Sequence, residues 1–181
     1  MISQADFQKN FPADTDIPYL LLRLLEYQND VNDFYSGHFE LTVEDAESAV
    51  MWFDGDIDAA SQFVAFGQES DGSSYCYWLY DGRKLEQAPM VFLGSEGVNN
   101  TVLADNTRDF LSLLAVGYDE LGFPYRRIEE TDNILRFRLW LEREFGIVPP
   151  EDADELIEKA KANHPDLDKW IEKWQEKHFA K

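Results

Sequence analysis

The sequence predicts an α+β fold: a mainly antiparallel sheet, a β-meander, with helices packed against it and a C-terminal helical extension. Three observations predict it. Four short runs rich in β-branched and aromatic residues follow one another with turn residues between them. Apolar residues at helical spacing flank these runs on both sides, and further amphipathic segments fill the stretch after residue 125. The 181 residues, 44% of them hydrophobic, suffice for one domain with an appendage. Residues 1–125 are therefore expected to form the α+β domain, and 126–181 a helical extension packed on it.

Taken in order, a helix is expected from about Asp16, which can cap it, with Pro18 in the first turn, where its missing N–H costs nothing. Leu20, Leu21, Leu24, Leu25, Val31 and Phe34 repeat at helical spacing before Ser36-Gly37. "HFELTV" (38–43) alternates as a strand does, and "EDAESAVMWF" reads as a short acidic helix with Ala46, Ala49, Val50 and Phe53 inward. The meander is "QFVAFG" (62–67), "YCYWLY" (75–80), "APMVFLG" (88–94) and "TVLA" (101–104). Asp71-Gly72 and Asp81-Gly82 bracket the second run, and both residue types tolerate the positive φ of tight turns. "YCYWLY" lacks polar alternation, so both its faces are expected to be covered, at the centre of the sheet.

"NTRDFLSLLAVG" (106–117) reads as a capped helix with Phe110, Leu111, Leu113 and Leu114 buried and Gly117 as its stop. In the extension, "NILRFRLWLEREFG" is helical up to Gly146, and "EDADELIEKAKAN" is a second helix. A third starts near Pro165, with Leu167, Trp170, Ile171, Trp174 and His178 on one stripe.

Charge is the largest departure from the ordinary. The formal net charge is −20, and residues 1–125 hold 22 Asp/Glu against 5 Lys/Arg. Such a field repels nucleic acid and anionic membranes and speeds encounters with basic partners. One cysteine, Cys76, excludes an internal disulfide framework and an all-cysteine metal cage. The N-terminus has no basic flank followed by an apolar stretch, and "YLLLRLL" is too short to span a bilayer. A cytoplasmic protein without membrane contact is expected.

The chemical motifs dissolve on inspection. "GQESDGSS" has the glycine spacing of a phosphate loop, but Ser73 stands where lysine is required. Glu69 and Asp71 would repel a triphosphate, and a β run follows where a helix is needed. "DGDID" (54–58) opens like a calcium loop, but Ala59 and Ala65 occupy the positions that need glycine and glutamate. "LGSEG" around Ser95 lacks the first glycine of a nucleophile elbow. His38, His164 and His178 have neither ligand nor triad spacing. No catalytic residue, metal ligand or cofactor is expected.

The ordered set "FGQESDGSSYCYWLYDG", "APMVFLGSEG" and "VLADNTRDFLSLLAVGYDELGF" resembles the SUKH superfamily, which includes a cell-wall assembly regulator and many bacterial immunity proteins. The matching parts are Phe66-Gly67 before a turn closing at Gly72, the strand Tyr75 to Tyr80, the strand Met90 to Leu93, and the helix Asp109 to Ala115. The resemblance covers about residues 60–123; the tail from about Arg126 departs from the family's short forms. It implies a non-catalytic α+β fold whose members commonly neutralise toxins, often nucleases, by direct binding.

The functional expectation is an immunity-type inhibitor that holds a basic, nuclease-like protein through its acidic face, as a monomer or weak homodimer. Glu44, Asp45, Glu47, Asp54, Asp56 and Asp58 are the densest acidic stretch, and Glu69 and Asp71 crown the neighbouring hairpin. These eight are the expected contacts. The alternative is an intracellular scaffold or regulatory domain that binds a different partner through the aromatic tail helix or an open sheet edge.

Overall fold

The computed structural model describes residues 1–43, 46–121, 127 and 129–179. The fold is α+β. Its elements are α1 (Gln4–Phe7), α2 (Tyr19–Val31), β1 (Glu40–Leu41), α3 (Ala46–Trp52), α4 (Ile57–Ala60), β2 (Phe63–Gln68), β3 (Ser74–Trp78), β4 (Met90–Leu93), β5 (Thr101–Ala104), α5 (Thr107–Val116), α6 (Asp132–Phe145), α7 (Asp154–Asn163) and α8 (Leu167–Phe179). The five strands form one sheet in the order β1-β2-β3-β4-β5, each antiparallel to the next. β3 lies at its centre, and Tyr75, Cys76, Tyr77 and Trp78 are all buried.

Period-two alternation divides the side chains between two cores. Val64, Phe66, Tyr75, Tyr77, Met90 and Phe92 point to one face, where α2, α5 and α6 add Leu21, Leu24, Phe110, Leu114 and Phe137. Phe63, Ala65, Cys76, Trp78, Val91 and Leu93 point to the other, where Phe53, Ala60, Leu167 and Ile171 meet them. The extension thus serves both layers, α6 on one face and α8 on the opposite one. The expected boundary at residues 125/126 falls outside the described residues.

Several starts and stops follow the local chemistry. Asn106 caps α5 by accepting from the Asp109 amide at 2.9 Å, and Gly117 ends it at φ 81. Thr131 caps α6 and Gly146 ends it, again left-handed. α2 differs from expectation: Pro18, not Asp16, holds the N-cap position without a side-chain bond. The helix stops at Val31 because Asn32 turns left-handed at φ 50. Phe34 therefore falls beyond the helix and is exposed.

Both sheet edges are occupied. Beside β1, the Gln28 amide stands in for a neighbouring strand: its Nε2 donates to Leu41 O (2.9 Å) and its Oε1 accepts from Leu41 N (2.7 Å). Asn10 Nδ2 donates to Thr42 O at 2.7 Å. At the far edge α7 packs against β5. Such cover is how sheets avoid adding a foreign strand.

Gly67, one of the two glycines of the phosphate-loop lookalike, has a packing reason. It follows a bulge in the β2–β3 pairing, and a Cβ there would stand 2.8 Å from Glu40 O and 2.9 Å from the Phe39 ring. Gly72 turns the β2–β3 hairpin at φ 86. Asp81 and Gly82 also take positive φ, but within the longer β3–β4 connection.

Candidate protein-binding surface

The acidic loop 54–58 is structural as much as superficial. Asp56 caps α4, its Oδ1 accepting from the Ala59 amide at 3.0 Å, and its Oδ2 accepts from Trp174 Nε1 at 3.0 Å. The Ala59 amide first, then the indole N–H, holds this carboxyl below the ordinary range. Asp54, left-handed at φ 48, is exposed and faces His178 Nε2 at 3.3 Å. Two of the expected contacts therefore attach α8 to the loop beneath it, while Asp58 is exposed. Asp56→Ala removes cap and indole acceptor together and is expected to lower the melting temperature by about 2–4 °C, where Asp58→Ala changes nothing measurable. Equal melting curves for the two variants would refute the anchoring role. Glu44, Asp45 and the Glu47 side chain lie outside what the structure describes.

Glu69 does not crown the hairpin. It is 3% exposed, with Oε1 accepting from the Tyr75 hydroxyl and, at 3.4 Å, from the Leu121 amide. Its Oε2 is buried without a hydrogen-bond partner among the described residues. Burial pushes this carboxyl up to about 7; Tyr75 and Leu121 oppose the rise, and Glu120 adds to it. A residue read as a surface contact is an interior acid, because β3 and the chain after α5 close over it.

Asp71 is exposed and held rigidly. Its Oδ1 accepts from the Ser73 amide (2.8 Å) and its Oδ2 from the Ser73 hydroxyl (2.9 Å). Ser73 Oγ in turn accepts from the Ser95 amide at 3.1 Å, which ties the β2–β3 turn to the β4–β5 turn. Between these turns and the chain after α5 opens a hollow of about 270 Å³, lined by Asp71, Ser73, Ser95, Glu96, Asn99 and Glu120 among others. No Lys or Arg is among its described lining residues. Glu96 and Glu120, both exposed, were not among the expected contacts. Glu96 stands alone in sequence and Glu120 follows only Asp119, and only the fold brings them to Asp71.

Residues 24–107 carry 16 Asp/Glu and only two cations, Arg83 and Lys84. The hollow's described lining residues lie within this part except for Glu120.

The remaining polar constellations are tied into the fold. His164, 7% exposed, joins Tyr80 (Oη to Nδ1, 2.8 Å) and stands 3.3 Å from Asp105, and burial lowers its pKa. Asn163 and Lys159 also meet Asp105, so the cluster fastens α7 to the end of β5. Among the described residues no group of three or more His, Cys, Asp or Glu is placed to hold a metal ion, and no helix is long and apolar enough to cross a membrane. Trp170 and Trp174 on α8 pack edge-on against Phe53, with Trp170 also against Phe63. The aromatic stripe is thus turned inward.

No family model, curated protein or solved structure matches this chain.

Proposed function

We propose that the chain is a non-catalytic, cytoplasmic binding protein of the immunity type, which holds a basic, nuclease-like protein against its acidic surface. The carrying observation is the hollow lined by Asp71, Glu96 and Glu120, with no Lys or Arg among its described lining residues. A nuclease must present Lys and Arg to phosphate, so a rigid acidic depression can occupy that same surface and steer rapid encounter. The order of strands and turns that resembles the SUKH superfamily supports the same reading. The scaffold alternative relied on an open sheet edge or the tail's aromatic stripe, and both are engaged internally.

The test is kinetic. With the partner isolated by co-purification from the native host, the association rate is expected to fall steeply with added salt. Asp71→Asn with Glu96→Gln and Glu120→Gln is expected to slow association about tenfold or more at low ionic strength. A rate indifferent to salt and to these substitutions would sink the electrostatic reading.

A further inference from the structure

The second core thins toward one end of the sheet. Phe63 and Trp78 fill the end beneath α8, but at the other end β2 and β3 offer Ala65 and Cys76 as a register pair, then Ser74, then Gly72 in the turn. α3 lies over this end, fixed by Trp52 Nε1 donating to Gly94 O at 2.9 Å. Side chains this small cannot fill the space beneath it. A groove of about 380 Å³ remains, lined chiefly by Ala49, Met51, Trp52, Ala65, Cys76 and Leu93. That is a size ordinary for ligand pockets. Met51, on its lip, is 76% exposed.

The groove ends at Gly72 and Ser95, on the two turns that present Asp71 and Glu96 to the acidic hollow. Ser95 lines both depressions, so an apolar and an acidic recess share a wall.

We propose that the groove receives one large aliphatic or aromatic side chain from a segment of a basic protein, whose neighbouring Lys or Arg side chains enter the Asp71–Glu96–Glu120 hollow. This rests on the acidic surface being the partner site. Charge selects the occupant. Among the described residues neither recess is lined by Lys or Arg, and the sequence holds none between Arg23 and Arg83. A second copy of this chain, at a formal −20, is repelled from such a surface. An apolar anchor in a pocket, ringed by complementary charge, is also how binding energy concentrates at protein interfaces.

The test uses two synthetic peptides of equal length and charge, one alternating Lys with Leu and the other Lys with Ser, titrated calorimetrically against the full chain. The Lys/Leu peptide is expected to bind about tenfold more tightly, as burial of one large aliphatic side chain implies. Met51→Ser and Ser74→Trp are each expected to reduce it to the level of the Lys/Ser peptide. Ser74→Trp fills the groove and is checked by thermal denaturation; Met51→Ser alters an exposed residue and carries the test if the other fails to fold. Equal affinities for the two peptides, both weakened by Asp71→Asn with Glu96→Gln, overturn the groove and leave the acidic reading standing. So does a Lys/Leu preference that survives Met51→Ser. Binding of neither peptide overturns both.

Discussion

A chain ending at Asn163 is expected to lose its cooperative unfolding transition. α8 supplies Leu167 and Ile171 to the second core and covers Phe53, Phe63 and Trp78 with Trp170 and Trp174. Truncating a single buried Leu or Ile to Ala costs about 2–5 kcal/mol, and an aromatic more. A domain's entire stability is only about 5–15 kcal/mol, so losing the whole apolar stripe exceeds any reasonable reserve. Urea denaturation followed by tryptophan fluorescence, with binding of a hydrophobic dye, checks this. The truncated chain should show dye binding in the absence of urea and no sigmoidal transition. Ile171→Ala is the graded version, expected to lose about 2–4 kcal/mol while keeping the transition. An unchanged midpoint and slope for the truncated chain would mean that the tail is a passenger.

Glu69 gives the second large effect. Its carboxyl is raised from the ordinary 4.5 to about 7, chiefly by burial. Between those values the native protein keeps a proton that the unfolded chain has released. Its contribution to stability is therefore fully present below about 4.5 and is lost as pH rises through about 7. The span corresponds to about 3 kcal/mol. The groups acting on it are Tyr75 from β3, His38 ahead of β1, and Glu120 after α5, with the Leu121 amide donating to Oε1. Glu69→Gln keeps an acceptor for Tyr75 and removes this titration, so its stability should fall less steeply across this window than that of the unaltered protein. Mutual repulsion among the surface carboxylates adds a slope of the same sign, but Asp71→Asn shares that slope with the unaltered protein. If Glu69→Gln retains the full pH dependence in chemical denaturation, the interior acid is not its source.

The sequence reveals the frame of the sheet and less of its surface. β3 could be placed centrally because four successive apolar residues leave no solvent face, and α5 was legible from Asn106 and Gly117 because capping is local. The strand expected over 38–43 shrinks to two residues, and the amides of His38 and Phe39 bond instead to Asp119 O and Ser36 O. α4 went unseen because a four-residue helix has no periodicity to detect. The site suffered most. Glu69 looks exposed when read between Gln68 and Ser70, and only the approach of Tyr75 and Leu121 makes it interior. Glu96 and Glu120 gain meaning from two turns that pairing of β3 with β4, and packing of α5, bring beside Asp71. Local rules report caps and periods; convergence of distant turns is a tertiary fact.

Gln28 completes β1 with a side chain whose two amide bonds imitate a sixth strand. A neighbouring molecule attempting to extend the sheet must first break both, before gaining any bond of its own. The Tyr35 hydroxyl, donating to the same Gln28 oxygen at 3.1 Å, braces the amide against swinging aside. The molecule thus carries its own full stop: crowding can press copies together without offering them a sentence to continue.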